Sequence, residues 1–350
     1  MRSERVVFFS PMANNLSDRV KQAMIAGNIC HREEEFTKLL QRVRGKLMEL
    51  VKANDDYSVI ILTGSGTSAV ESIIGSLPMW DTRLLVLSNG HYGDRIQSIC
   101  GRYNIQYDKY VSDKTMKVSE IEKEIRQEGI THVAMVHHET STGTLNPLRM
   151  IGKLCQKYNK KLIVDAVSSI GVHNLNVVAD NIDFMAGSSN KGIGGPEGIS
   201  YVVAKKDSME DFSPRNYYLG LVENLDKQNE GQTLFTPAVR IFMGFDEALN
   251  ELRDEGLDNR QKRFAEIAQT LRAGMSELGF KMLTECPSNV ATLYDIGKYN
   301  FQELHKKLKS QNYIIYTGTN ERNFRLCTYG DLNKKDIENF LEEFKKIIGE

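Results

Sequence analysis

The sequence predicts an α/β fold, with a mainly parallel sheet held between helices and a smaller α+β region after it. Three observations carry this. Between residues 58 and 204, apolar runs of strand length alternate with runs whose apolar residues recur at helical spacing. Several strand runs end in a polar, glycine-containing turn, as at Thr63-Gly64-Ser65-Gly66 and Leu87-Ser88-Asn89-Gly90. Beyond about Lys206 the texture changes to long helical patterns, then to short strands mixed with helices.

Taken in order, residues 6–11 (VVFFSP) read as a short strand and 16–26 as a helix. Phe36, Leu39, Leu40, Val43, Leu47 and Val51 recur at helical spacing, which gives an amphipathic helix with one apolar stripe. SVIILT is a strand run, and a helix opens after it near Thr67. LLVLS repeats the pattern, with a helix over 91–104. ITHVAMV runs into the polar loop HHETSTG, and MIGKLCQKYN is helical before the strand runs LIVD, IDFMAG and ISYVVA. Residues 235–278 read as one long and one medium helix. Short strands then fall at 281–284, 290–295, 313–316 and 324–328, with helices at 300–310 and 334–348. The chain thus divides into an N-terminal segment (1–15), a large domain (16–250) and a small C-terminal domain (251–350).

The 350 residues can bury a full core. Lys plus Arg number 45 against 46 Asp plus Glu, a net charge of -1. That balance gives no electrostatic case for a nucleic-acid or anionic-membrane partner. No apolar run approaches the ~20 residues of a membrane-spanning helix, and the N-terminus lacks a signal-peptide core. The five cysteines are scattered without a CxxC pair, so free thiols and a cytoplasmic location are expected.

The chemistry centres on Asp165, at the end of LIVD, and Lys191, just after IDFMAGSSN. An acid and a lysine at the exits of buried strands are placed to meet in a cleft. Pyridoxal phosphate needs that pair: the amine condenses with its aldehyde, and a carboxylate keeps the ring nitrogen protonated so the ring can draw electrons. Lys191 lies among Ser188, Ser189, Asn190, Gly192, Gly194 and Gly195, small residues that leave room for a planar ligand and polar groups that suit a phosphate.

Gly64-Ser65-Gly66-Thr67-Ser68 follows a strand and opens a helix, so its amides and hydroxyls make an anion site. A plain turn is the bland alternative. A dinucleotide fingerprint through Gly64, Gly66 and Ala69 is the sharper one, but it wants an acid at the end of the next strand, where Leu87-Ser88-Asn89-Gly90 has none. His91 or Tyr92 could lie flat on a cofactor ring, or be an ordinary turn aromatic. His137 and His138 invite a metal reading, but neighbours in an extended segment point to opposite faces and no HxxxH motif assists. No metal is expected; Thr140 and Ser141 are expected to turn their hydroxyls to the cleft. Arg325 lies in an alternating strand: facing outward it is unremarkable, facing inward it needs an anion, and its fork suits a carboxylate or phosphonate.

With LTGSGTSAVES, SNGHYGDR, VHHETSTGTLNPL, IVDAVSSIG, SSNKGI, LFTPAVR and FRLCTYG laid out in order, the chain resembles the class V aminotransferases of the fold-type I pyridoxal-phosphate enzymes. Within them it looks like the 2-aminoethylphosphonate–pyruvate transaminases. The resemblance covers nearly the whole chain and implies a seven-stranded, mainly parallel sheet in the large domain. It implies Lys191 as the Schiff-base lysine, Asp165 as partner of the pyridine nitrogen, Tyr92 as the stacking ring and Thr140 as a hydroxyl near the phenolic oxygen. Ser65, Gly66, Thr67 and Asn190 match the phosphate cradle, and Arg325 the substrate's acid anchor. Thr236-Pro237 resembles a turn that reaches the neighbouring subunit's phosphate, so a homodimer is implied.

The chain departs from the family pattern at residues 10–14, near the active site, and at 192–198; both places bear on the amino donor rather than the cofactor. Within the family the rival readings are a serine– or alanine–glyoxylate aminotransferase, which would share every cofactor residue, and a cysteine desulfurase, because Cys327 falls in a late segment. A catalytically idle binding protein on this fold and a dinucleotide-dependent oxidoreductase are the alternatives of other kinds. The start so near the first strand also suits one module of a larger protein.

Overall fold

A computed structural model describes residues 5–11, 15–113, 115–213 and 215–349. Strand β1 (Val7–Phe9) precedes helices α1 (Asp18–Ile25) and α2 (Glu34–Leu50). Alternation then sets in with β2 (Tyr57–Thr63), α3 (Gly66–Ser76), β3 (Arg83–Ser88), α4 (His91–Arg102), β4 (Gln106–Val111), α5 (Val118–Ile125) and β5 (His132–Val136). A small ribbon, β6 (His138–Glu139) with β7 (Thr144–Leu145), leads to α6 (Leu148–Lys157), β8 (Lys161–Asp165), β9 (Phe184–Ser188) and β10 (Ile199–Lys205). Helices α7 (Leu221–Asn229), α8 (Val239–Glu255) and α9 (Leu257–Glu277) follow. The chain closes with β11 (Ala291–Asp295), α10 (Phe301–Ser310), β12 (Tyr313–Thr317), β13 (Asn323–Cys327) and α11 (Lys334–Ile348).

Seven strands form the large sheet in the order β2-β10-β9-β8-β5-β3-β4. Only β10 runs antiparallel to its neighbours, so six strands end at the same edge. The continuous apolar runs follow from burial on both faces. In β2, Val59 and Ile61 join one apolar cluster while Ile60 and Leu62 join another; in β3, Leu85 and Leu87 oppose Leu84 and Val86 in the same way. The stripe of α2 covers the first face together with Phe242 and Phe245 of α8, and α3 and α4 cover the second.

A four-stranded sheet, β1-β12-β13-β11, carries the C-terminal core with α9, α10 and α11. Strand β1 belongs to it, pairing parallel to β12 with Val7 opposite Tyr313. Asn15 then ties the segment down, exchanging two hydrogen bonds of 2.9 Å with the Phe8 backbone and donating to the Tyr329 carbonyl. Residues 12–14, part of the N-terminal departure from the family pattern, lie outside the described residues. Gly256, at φ 81°, breaks the long helical pattern between α8 and α9, because the left-handed region is open to glycine at little cost.

Five features differ from the sequence reading. Strand β4 is an edge strand whose Gln106, Tyr107, Lys109 and Val111 are exposed, so it carries no apolar run. Helices α5 and α7 and the ribbon β6–β7 are short, and their apolar signal is weak. The strand expected at 281–284 reduces to a single bridge between Met282 and Tyr294, since Met282 and Leu283 face solvent.

Candidate active site

The shared edge of the six strands places Asp165 and Lys191 side by side in sequence order of their strands: Asp165 is the last residue of β8, and Lys191 follows β9 by three residues. Crevices outside the carboxyl ends of parallel strands are where α/β sheets bind ligands. A cavity of about 420 Å³ opens there, within the size range of small-molecule sites. Its wall includes Ser65, Gly66, Thr67, Tyr92, Asp165, Asn190 and Lys191, seven of the residues singled out from sequence.

Asp165 is buried, and burial raises its pKa to about 6; the Val167 N–H, donating to Oδ1 at 3.0 Å, opposes the rise. Among the described residues its carboxylate has no cationic hydrogen-bond partner, although Arg95 and Lys191 contribute favourable fields. Burial lowers the Lys191 pKa to about 8. Arg325 and Arg95 push in the same direction, whereas Cys327 and Asp165 oppose it. The ammonium donates to the Pro11 carbonyl and sits 5.0 Å from the centre of the Tyr329 ring.

The cradle lies across the cavity. Ser65 is the N-cap of α3, so the free amides of the first turn face the strand ends. A Cβ on Gly66 would stand 2.6 Å from Val167 Cγ2, so only glycine lets the α3 turn approach this closely to Val167, two residues after Asp165. Arg95 of α4 donates to Thr67 Oγ1 at 2.7 Å, and its guanidinium carbon lies 4.7 Å from the Tyr92 ring centre. On the far side, Asn190 accepts from the Ser188 hydroxyl at 3.0 Å.

Four expected residues lie off this wall. Thr140 stands behind it, donating to the Ser168 hydroxyl at 2.7 Å, and Ser141 donates to Glu139 instead of turning to the cleft. Arg325 is buried on β13, opposite Leu293 and Tyr316, and faces inward. It donates to the carbonyls of Thr317 and Thr140, each at 3.1 Å, and packs 5.3 Å from the Tyr316 ring centre. Thr236 is exposed in the loop before α8, outside this cavity.

Sequence reasoning passed over Arg95, Val167 and Ser168, which line the cavity together with His138. Arg95 had a signal: it lies three and four residues after Tyr92 and His91, on one helix face. His138 donates through Nδ1 to the Ser168 carbonyl at 3.2 Å and accepts at Nε2 from Ser288 at 2.8 Å, a neutral structural imidazole. Cys327 is fully buried in β13.

The comparisons agree with this geometry. The model of the family "Aminotransferase class-V" matches residues 14–322. The chain belongs to the class-V aminotransferases. A bifunctional phosphonoacetaldehyde hydrolase/aminoethylphosphonate transaminase of Clostridioides difficile is 34% identical over 98% of this chain, which spans 56% of that relative's length. A 2-aminoethylphosphonate–pyruvate transaminase of Phocaeicola vulgatus is 33% identical, covering 97% of this chain and 98% of its own. An alanine–glyoxylate aminotransferase from Nostoc superposes with a TM-score of 0.92 at 21% identity, over 99% of this chain and 96% of that one, and so shares the fold.

Pyridoxal 5'-phosphate is the cofactor of this aminotransferase, and the residues present fit it. The close approach at Gly66 shapes a cradle at the start of α3, while a buried amine and a buried acid stand at neighbouring strand ends.

Proposed function

We propose that this enzyme moves an amino group between 2-aminoethylphosphonate and pyruvate, interconverting them with phosphonoacetaldehyde and alanine. The observation that carries the substrate class is Arg325. Its guanidinium is buried and, among the described residues, pairs with carbonyls and a ring but with no carboxylate. A buried cation without a counter-ion favours an anionic ligand, and a planar fork of donors suits phosphonate and carboxylate alike. The printed activities of the two relatives point to the same substrates.

When bound, pyridoxal phosphate supplies an aldehyde that takes up the amino group and a ring that draws electrons from the reacting carbon. Ser65, Gly66, Thr67 and Asn190 would hold its phosphate and Tyr92 its ring, with Thr140 behind the phenolic side. Asp165 would accept a hydrogen bond from the protonated ring nitrogen. The Lys191 amine would hold the cofactor at rest and carry the proton during transfer; in the empty site burial lowers its pKa to about 8, which favours the neutral amine that condensation with an aldehyde needs. Arg325 anchors the acid group of each substrate in turn.

We further propose a cytoplasmic homodimer in which the Thr236-Pro237 turn, through its exposed Thr236, reaches the partner's phosphate site, and a division into segment 1–15, large domain 16–250 and small domain 251–350. No helix among the described residues is long and apolar enough to cross a membrane.

Amino-donor specificity tests this. The purified enzyme should form alanine from 2-aminoethylphosphonate and pyruvate. Turnover of serine or alanine with glyoxylate, and none of aminoethylphosphonate, would overturn the substrate assignment while leaving the cofactor intact.

A further inference from the structure

Glu139 is a fully buried carboxylate with no part in the chemistry above. It lies on the ribbon strand β6, 47 residues from Tyr92 in sequence, yet its Oε2 accepts the backbone N–H of Tyr92 at 3.1 Å and of Gly93 at 3.2 Å. Its Oε1 accepts the Ser141 N–H at 3.0 Å and the Ser141 hydroxyl. Ser141 Oγ in turn accepts the His91 N–H at 3.0 Å.

These bonds answer a need at the start of α4. The first amides of a helix have no partner within it, and here the N-cap is Gly90, which has no side chain to offer. A Cβ at Gly90 would stand 2.4 Å from Ser141 Oγ and 2.6 Å from Glu139 Cδ, so the glycine admits the acceptor loop in place of its own cap. The buried amide pair Asn89–Asn146, at 2.8 and 3.0 Å, fastens the same two segments again. A carboxylate at this end also complements the helix dipole. One side chain thus holds three successive amides, His91 through Ser141 and the other two directly. The middle one belongs to the residue whose ring lines the cavity.

We propose that Glu139 is the positioning residue for Tyr92: it fixes the first turn of α4 from a distant strand and so sets the ring against the cofactor. This rests on the reading of Tyr92 as the ring that packs on pyridoxal phosphate.

The test is a double-mutant cycle on the affinity of apoenzyme for pyridoxal 5'-phosphate, with the circular dichroism of the bound cofactor's visible band as a second readout. Hydrogen bonds to charged groups set the scale, so E139Q should weaken binding roughly ten- to a hundredfold and diminish the dichroic band. In a Y92A background, E139Q should add less than about twofold, because the group it positions is gone. Wild-type affinity in E139Q, or full additivity in the double variant, overturns the proposal: the carboxylate would then only stabilise the fold. Wild-type affinity in Y92A is a different failure, since it removes the ring reading itself. Should E139Q not fold, E139D enters the same cycle. It keeps the charge but is one methylene short of the amides, and wild-type affinity there is equally decisive against the proposal.

Discussion

Arg95 Nη1 donates to Thr67 Oγ1 at 2.7 Å, which joins the first turn of α3 to the second turn of α4, two helices that leave separate strands. The bond puts a guanidinium at the mouth of the α3 cradle while its carbon lies 4.7 Å from the Tyr92 ring centre. A fixed cation beside helix amides favours a dianion such as a phosphate ester.

Replacing Arg95 should therefore be felt through the phosphate. R95A should weaken pyridoxal phosphate binding roughly tenfold or more, and R95K should restore only part of it, because lysine lacks the planar fork. Equilibrium titration of apoenzyme reads this, with pyridoxal as a control ligand that lacks the phosphate and should lose little.

Lys191 carries the pH dependence of cofactor capture. With its pKa lowered to about 8 by burial, roughly one amine in ten is neutral at pH 7, against about one in three thousand at the ordinary lysine value. Only the neutral amine condenses with an aldehyde. The rate of cofactor uptake by apoenzyme should rise about tenfold per pH unit from pH 6 and level off above about pH 8. K191A should abolish transamination yet still bind the cofactor non-covalently, as borohydride reduction followed by mass spectrometry will report.

For Asp165 the sign runs the other way. Its pKa rises to about 6 on burial, so the folded apo protein favours the protonated form, and that favourable contribution fades as pH rises from about 4 to 6. D165N has no charge to bury: it should raise the apo-protein Tm at pH 8 and leave it nearly unchanged at pH 4. The same variant should lower kcat by roughly two orders of magnitude or more, since an amide cannot keep the ring nitrogen protonated.

Much of this site was legible because parallel strands buried on both faces are apolar throughout, so the first polar residues after them stand out. Asp165, Lys191 and the Gly64–Ser68 turn are all of that kind. What could not be read depends on partners far apart in sequence. Glu139 caps a helix 47 residues away, and nothing local marks it as a cap. The inward face of Arg325 follows from its pairing between β11 and β12, where Leu293 and Tyr316 stand opposite it. Strand β4 escaped because an edge strand has one side unpaired and is charged on purpose. Strand β1 was readable as a strand, but its place in the C-terminal sheet was not, since its partner is some 300 residues on.

Arg325 should act on both half reactions. R325A should raise KM for 2-aminoethylphosphonate and for pyruvate together, each by roughly tenfold or more, as expected when a charge-assisted bidentate contact is lost. Steady-state kinetics with each substrate varied in turn checks this; a change in only one KM would assign the two acid groups to different anchors.

Lys191 and Asp165 should together hold pyridoxal phosphate ready to exchange an amino group with 2-aminoethylphosphonate. The absorbance spectrum of the loaded enzyme tests it most directly. Addition of 2-aminoethylphosphonate alone should remove the visible band of the lysine-bound cofactor, and subsequent pyruvate should restore it with one equivalent of alanine formed. A visible band that 2-aminoethylphosphonate leaves unchanged would rule out this exchange.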